Sequence, residues 1–374
     1  MLSVFRHSIA HFKGLHFVYL DSLDIDEHLL TSLSGLPLLQ KADFAEPTFT
    51  CRGINTLLDL EKLCIRYGGT RSSSTLPLEV FSNKQLTVLN LHSFRDASSC
   101  LAHLTRQGES ENLRVLSIDL NVDTIPVLFE FLATCPRLTS LQISDITDDV
   151  LDTYPSFSLP PSALPRLCAY LGPGTLASII VPNRPVQSVT IIWEEWDNDV
   201  WEKRGIPVLH QLSKTSRPMY TLSLPLLTPR QDIFVKITER FPDLVILNIF
   251  LDDRSPPVDE DTRSLDQLSA ITVGKDGIPT SSPALLKGLV ERLCLDKLPL
   301  PPLIESLAIL DNSSEVVEPA RTCISSLEQH RALVGLSKHY RRLSTVCFGK
   351  RPIYWTKNRS GEWITGDQAI RPRS

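Results

Sequence analysis

The sequence predicts an α/β solenoid, with parallel strands stacked along one face and helices returning along the other. Three observations lead there. A six-residue apolar motif recurs along much of the 374-residue chain. Its starts keep a near-constant spacing. The segments between motifs carry helical periodicity and end on proline.

The motif is L-x-x-L-x-L, with Ile, Val or Met admitted for Leu. Its clearest copies begin at Leu60, Leu86, Leu113, Leu138 and Leu244. Substituted copies begin at Leu15, Val186 and Met219, and weaker ones at Leu36, Leu164, Val290 and Leu343. From Leu60 the starts fall at residues 86, 113, 138 and 164, in steps of 26, 27, 25 and 26 residues. One such motif is common in any leucine-rich chain; a run of them in register is not. Motif and period are those of leucine-rich repeats, which run at about 20–29 residues. In x-x-L-x-L the side chains alternate, one set entering the stack and the other facing the concave side of a horseshoe. A single unit cannot bury its own apolar row, whereas stacked units bury it through a shared parallel sheet. An ordinary α/β domain also alternates strands and helices but does not demand a constant period.

Taken in order, residues 1–59 hold two repeats and residues 60–185 the most regular stretch. Helical return segments are predicted over Ala97–Gln107, with Leu101 and Leu104 three apart, and over Thr124–Thr134. The second opens with a capping Thr and an early Pro126, then an apolar face of Val127, Leu128, Phe131 and Leu132. A third spans Gln231–Phe241, and Cys135-Pro136 and Phe241-Pro242 end two of them. Residues 252–283, acidic and rich in proline and glycine, read as an irregular loop. A last repeat or two resume near Val290. Residues 311–335 read as a helix presenting Ile324, Leu327 and Leu333. Leu343 to Ile364 reads as a terminal strand and hairpin whose Phe348, Tyr354, Trp355 and Trp363 cover the sheet edge. The expected organisation is therefore a solenoid over 1–310 and a C-terminal helix and cap over 311–374.

An apolar fraction of 42% supports a large core, and a formal net charge of −5 argues against a nucleic-acid partner. No apolar run approaches the roughly 20 residues that span a bilayer, so no membrane association is expected. Met1 to Lys13, interrupted by Arg6, His7 and His11, does not read as a secretion signal. The eight cysteines form no C-x-x-C pair and read as reduced thiols of a cytoplasmic or nuclear protein. Asn312-Ser313-Ser314 and Asn358-Arg359-Ser360 are then chance matches to a glycosylation acceptor.

The register, the repeat start Cys135-Pro136-Arg137-Leu138, and the ending resemble the F-box and leucine-rich-repeat proteins that basidiomycete fungi carry in large numbers. In that ending, Leu336-Ser-Lys-His-Tyr-Arg-Arg-Leu343-Ser-Thr-Val346-Cys-Phe348 is followed by Gly361-Glu362-Trp363. The resemblance implies a protein-binding scaffold and, in full form, the substrate-recognition subunit of an SCF-type ubiquitin ligase. Skp-type adaptor and cullin would be its partners. An F-box opens near L-P-x-E-[IVL], and residues 1–14 leave no room for one before the first repeat. Leu76-Pro77-Leu78-Glu79-Val80 matches the opening, but a strong repeat starts at Leu86, where F-box helices should continue. Adaptor and cullin are thus expected only if an F-box lies outside this chain or hidden in it.

Strand alternation nominates the ligand-facing side chains. They are Phe17, Tyr19 and Asp21; Lys62, Cys64 and Arg66; Val88, Asn90 and His92; Val115, Ser117 and Asp119; Ser140, Gln142 and Ser144; and Ile246, Asn248 and Phe250. Tyr19, Lys62, Arg66, Asn90, His92, Asp119, Gln142, Asn248 and Phe250 are the expected protein-binding residues, a mixture of charges suited to a protein partner. Trp193, Trp196 and Trp201, set among five carboxylates over 193–202, are a candidate hot spot. The bland reading there is a loop and helix start. The alternative function is an enzyme using those carboxylates, although no EF-hand spacing follows. His7 and His11 have helical spacing but lack the glutamate of H-E-x-x-H. Gly172-Pro173-Gly174-Thr175 is a turn and helix start, since proline removes an N–H donor. Lys338, His339, Arg341 and Arg342 read as a solvated helix face. No catalytic residue, metal site or cofactor is expected.

Overall fold

The computed structural model describes residues 8–50, 58–67, 81–92, 97–120, 124–144, 157–192, 201–226, 231–251, 282–295, 298–311, 326–349 and 353–365. The chain divides into two compact units, Met1–Val186 and Gln187–Ser374. Both are α/β.

In the first unit the main strands are β1 (Phe17–Asp21), β3 (Lys41–Ala45), β5 (Lys62–Arg66), β6 (Val88–His92), β7 (Val115–Asp119), β8 (Ser140–Ser144) and β9 (Ala169–Gly172). They pair in sequence order, all parallel. The short β2 (Asp24–Ile25) and β4 (Thr48–Phe49) pair with each other. The helices are α1 (Glu27–Ser34), α2 (Ala97–Arg106), α3 (Thr124–Ala133) and α4 (Gly174–Ile180). Asp26 caps α1 by accepting from the Leu29 N–H at 2.8 Å.

The motif explains this packing. Val18, Ala42, Leu63, Leu89, Leu116, Leu141 and Tyr170 occupy one register row, and all are buried. In the row two residues on, Phe44, Ile65, Leu91, Ile118 and Ile143 are completely buried. Leu116 and Leu141, whose exposure would have broken the register, are both 0% exposed. The second position of the motif contributes as well. The Thr87 and Thr139 hydroxyls each donate to a backbone carbonyl of the preceding repeat, Glu61 and Arg114, at 3.0 Å.

Two of the weaker motif starts are displaced by three residues. The strand pairing makes Leu39, not Leu36, the start for β3, and Leu167, not Leu164, the start for β9. The step from Leu138 to Leu167 is consequently 29 residues. The reason is local. A turn precedes many starts, its closing N–H bonding three residues back, as in Leu138 to Cys135 and Leu244 to Phe241. In these two repeats that earlier residue is itself a buried leucine, Leu36 or Leu164, and so mimics a start.

In the second unit β10 (Ser188–Ile191), β11 (Thr221–Leu226), β12 (Ile246–Leu251), β13 (Ser306–Asp311) and β14 (Thr345–Gly349) are parallel. β15 (Ile353–Lys357) and β16 (Trp363–Thr365) then run antiparallel as a meander. The helices are α5 (Ile206–Leu212), entered through a π-helical turn at Trp201–Gly205, α6 (Gln231–Arg240), α7 (Ser282–Cys294) and α8 (Ser326–His339). Val290 lies inside α7, so the repeat placed there starts instead at Ile304, with Leu307 and Ile309 as its strand residues. The helix expected over 311–335 is likewise shifted: Asp311 closes β13 and α8 begins at Ser326. Residues 252–281, 312–325 and the segment Leu76–Val80 lie outside the described residues.

The C-terminal meander covers the last parallel strand as the aromatic pattern suggested. Phe348, Trp355 and Trp363 are buried. Their indole donors are satisfied by α8, Trp355 Nε1 on Gln329 Oε1 and Trp363 Nε1 on Ser337 Oγ, both at 2.9 Å. Tyr354 departs from the pattern. Its side of β15 is the open side, and it is 55% exposed. The cluster Lys338, His339, Arg341 and Arg342 is exposed at the C-terminal end of α8 and the turn after it. The six described cysteines are free thiols, and burial pushes those of Cys100 and Cys135 up to about 12.

Candidate functional site

Alternation along each strand leaves one side chain in two on the sheet face opposite the core. In the first unit these side chains align into polar rows because the strands are in register. One row runs Tyr19, Asp43, Cys64, Asn90, Ser117, Gln142. The next includes Asp21, Ala45, Arg66 and His92, with Asp119 beside Ser144.

Two clusters stand on these rows. In the first, Arg66 Nη2 donates to both oxygens of Asp43, at 2.9 and 3.1 Å, and its guanidinium lies 6.0 Å from the Tyr19 ring centroid. The hydrogen bond and charge of Asp43 raise the Arg66 pKa. Tyr19 is 49% exposed and Phe17 beside it 51%. Lys62 is exposed in the adjoining row, between Lys41 and Val88. Cys64 sits beneath this cluster, and burial, then the Asp43 charge, raises its pKa. A thiol held protonated in this way is a poor nucleophile.

In the second cluster His92 is the centre. Its Nδ1 lies 3.3 Å from Asp119 Oδ1 and its Nε2 3.4 Å from Ser117 Oγ. The connectivity is that of a nucleophile, base and orienting acid. The setting differs from a catalytic one. Ser117 is only 4% exposed, and β7 is paired on both sides, which commits its backbone to the ladder and leaves no N–H pair for an oxyanion. What the contacts do is fix the imidazole on the face. Asn90 lies between the two clusters, and its Oδ1 is buried with no hydrogen-bond partner. Gln142 Nε2 reaches Ser144 Oγ at 3.4 Å.

Tyr19, Lys62, Arg66, Asn90, His92, Asp119 and Gln142 are therefore brought onto one face of one unit. Asn248 and Phe250 are not part of that group; they belong to the second unit's sheet, where Asn248 Nδ2 donates to Ser223 Oγ at 2.9 Å and Phe250 is half-buried. Trp193 and Trp196 lie outside the described residues. Of Trp201 only the backbone is described, opening the π-helical turn. Sequence reasoning missed Asp43 and Lys41. Starting that repeat at Leu39 places both on the outer face.

Among the described residues no group of three or more His, Cys, Asp or Glu side chains is placed to hold a metal ion. None of the described helices is long and apolar enough to cross a membrane. No protein-family model matches the chain, and no curated protein sequence matches it.

Proposed function

We propose that this chain is a protein-interaction scaffold of the leucine-rich-repeat class, horseshoe form included, that holds a protein ligand on the outer face of the first unit's sheet. The observation that carries this reading is the seven-residue group Tyr19, Lys62, Arg66, Asn90, His92, Asp119 and Gln142 on strands of one sheet in register. Exposed aromatic rings beside arginine are the composition that contributes most at protein interfaces. The pinned Arg66 and His92 favour recognition, since groups already held in place lose little freedom on binding. Binding, not catalysis, is the role proposed, as the serine beside His92 is shielded.

A photo-crosslinking side chain placed at Lys62 or Gln142 tests the site. The expected result is that both positions crosslink the same protein and that a position on the exposed side of α2, such as Arg106, does not. Equal crosslinking from Arg106 would overturn the placement. Within the same reading, the chain selects substrates for an SCF-type ligase if an F-box accompanies it. Purified Skp-type adaptor and cullin, mixed with this chain, test that part separately, and absence of a complex leaves the scaffold alone.

A further inference from the structure

The second unit carries a cavity of about 260 Å³ between residues 213–219 and residues 240–243. The buried Met219 and Phe241 contribute to its lining. Its polar lining is unusual in what it leaves unused. Arg217 and Ser216 are exposed, and neither side chain has a hydrogen-bond or ion-pair partner among the described residues. The backbone N–H groups of Thr215, Ser216 and Arg217 make no backbone hydrogen bond among the described residues. Arg240 gives Nη1 to His210 Nδ1 at 2.6 Å, yet its Nε is buried with no acceptor.

We infer that this cavity is a binding site for the phosphate group of a small phosphate or phosphomonoester. Arg217 and Arg240 both line the cavity, so an anion entering it meets two positive charges. Two guanidinium groups, a free hydroxyl and free loop N–H groups form the donor set that phosphate oxygens need. The volume is near the lower end of small-ligand pockets, roughly 300 Å³, enough for a phosphate group with a short organic stem. Asp243 is the one acidic group in the lining. Its carboxylate opposes an anion, and that gives the assignment a signature beyond loss of an arginine.

The test is calorimetric titration of the full chain at fixed ionic strength with two probes, inorganic phosphate and O-phosphoserine. Saturable one-to-one binding is expected for at least one of them. Arg217→Ala, a change at an exposed side chain, is expected to weaken it at least about tenfold. Asp243→Asn is expected to tighten it several-fold. Tighter binding of O-phosphoserine assigns an esterified source, and equal or tighter binding of inorganic phosphate assigns the free ion. Absence of saturable binding with either probe, an unchanged affinity in Arg217→Ala, or weaker binding in Asp243→Asn would each overturn the inference. Thermal midpoints of both variants confirm that they are folded.

Discussion

Arg184 shows how one residue holds a whole return segment. It is 4% exposed, and burial lowers its pKa. Its donors go to four carbonyls: Nε to Ala163, Nη1 to Ile180 and Pro182, and Nη2 to Pro160, at 2.7–3.1 Å. Two of those carbonyls precede β9 and two lie at the end of α4, so the guanidinium ties entry and exit of one repeat together. Arg184→Met keeps the apolar stem but leaves the four acceptors without this donor. The expected loss is about 2–4 kcal/mol, read as a lower denaturation midpoint. Arg184→Lys restores the charge without the planar fork and should recover only part of it. Nothing in the sequence marked this residue. A lone arginine beside Pro182 and Asn183 reads as a loop residue, because two of its partners, the Ala163 and Pro160 carbonyls, lie 21 and 24 residues away.

Strands and helices depend on the motif leucines in a way that mutation can grade. Leu141 is fully buried in the row between Leu116 and Tyr170, on a strand paired on both sides. Leu141→Ala should cost about 3 kcal/mol through lost burial and the cavity left behind. Gln142→Ala, one residue on but facing outward, should change stability by less than about 0.5 kcal/mol. Equal losses in chemical denaturation would mean the alternation is misassigned. The same contrast explains what was legible. Where the motif stood clean, at Leu60, Leu86, Leu113, Leu138, Val186, Met219 and Leu244, strand and outward side chains follow from it. Where the turn before the strand also carries leucine, as at Leu36 and Leu164, the pattern offers two registers and only pairing selects one. Ile304-Glu305-Ser306-Leu307-Ala308-Ile309 matches the motif fully, yet the long interval after Leu244 hid it from a count based on period. The candidate site was legible as single strand positions. Its clusters were not, because Arg66 with Asp43 and His92 with Asp119 meet across strands 23 and 27 residues apart in sequence.

At the scale of the molecule, each main strand in either unit pairs only with its neighbours in the sheet order. Stability is then a sum of repeat and interface contributions. The inner repeats are nearly interchangeable at their junctions: Arg114 N–H donates to the Thr87 carbonyl, and Thr139 N–H to the Arg114 carbonyl. Excising residues 113–137 removes one strand and one helix and presents Thr139 to the carbonyl of Thr87. The shortened chain should fold with parallel-sheet circular dichroism and a lower thermal midpoint. Collapse to an unfolded or aggregated chain would show that the repeats are not modular.

The meander at the C-terminus carries a consequence for how such a protein lengthens. A parallel strand offers its successor the same comb of donors and acceptors that it met itself, so duplication inside the array is copied without redesign. The reversal from β14 to β15 stops that copying, and β16, antiparallel in turn to β15, leaves an edge of only three residues outward. New repeats must therefore arise upstream of the cap. Trp355 and Trp363, anchored on α8, then act as a fixed terminus that travels with the last repeat while the interior expands or contracts.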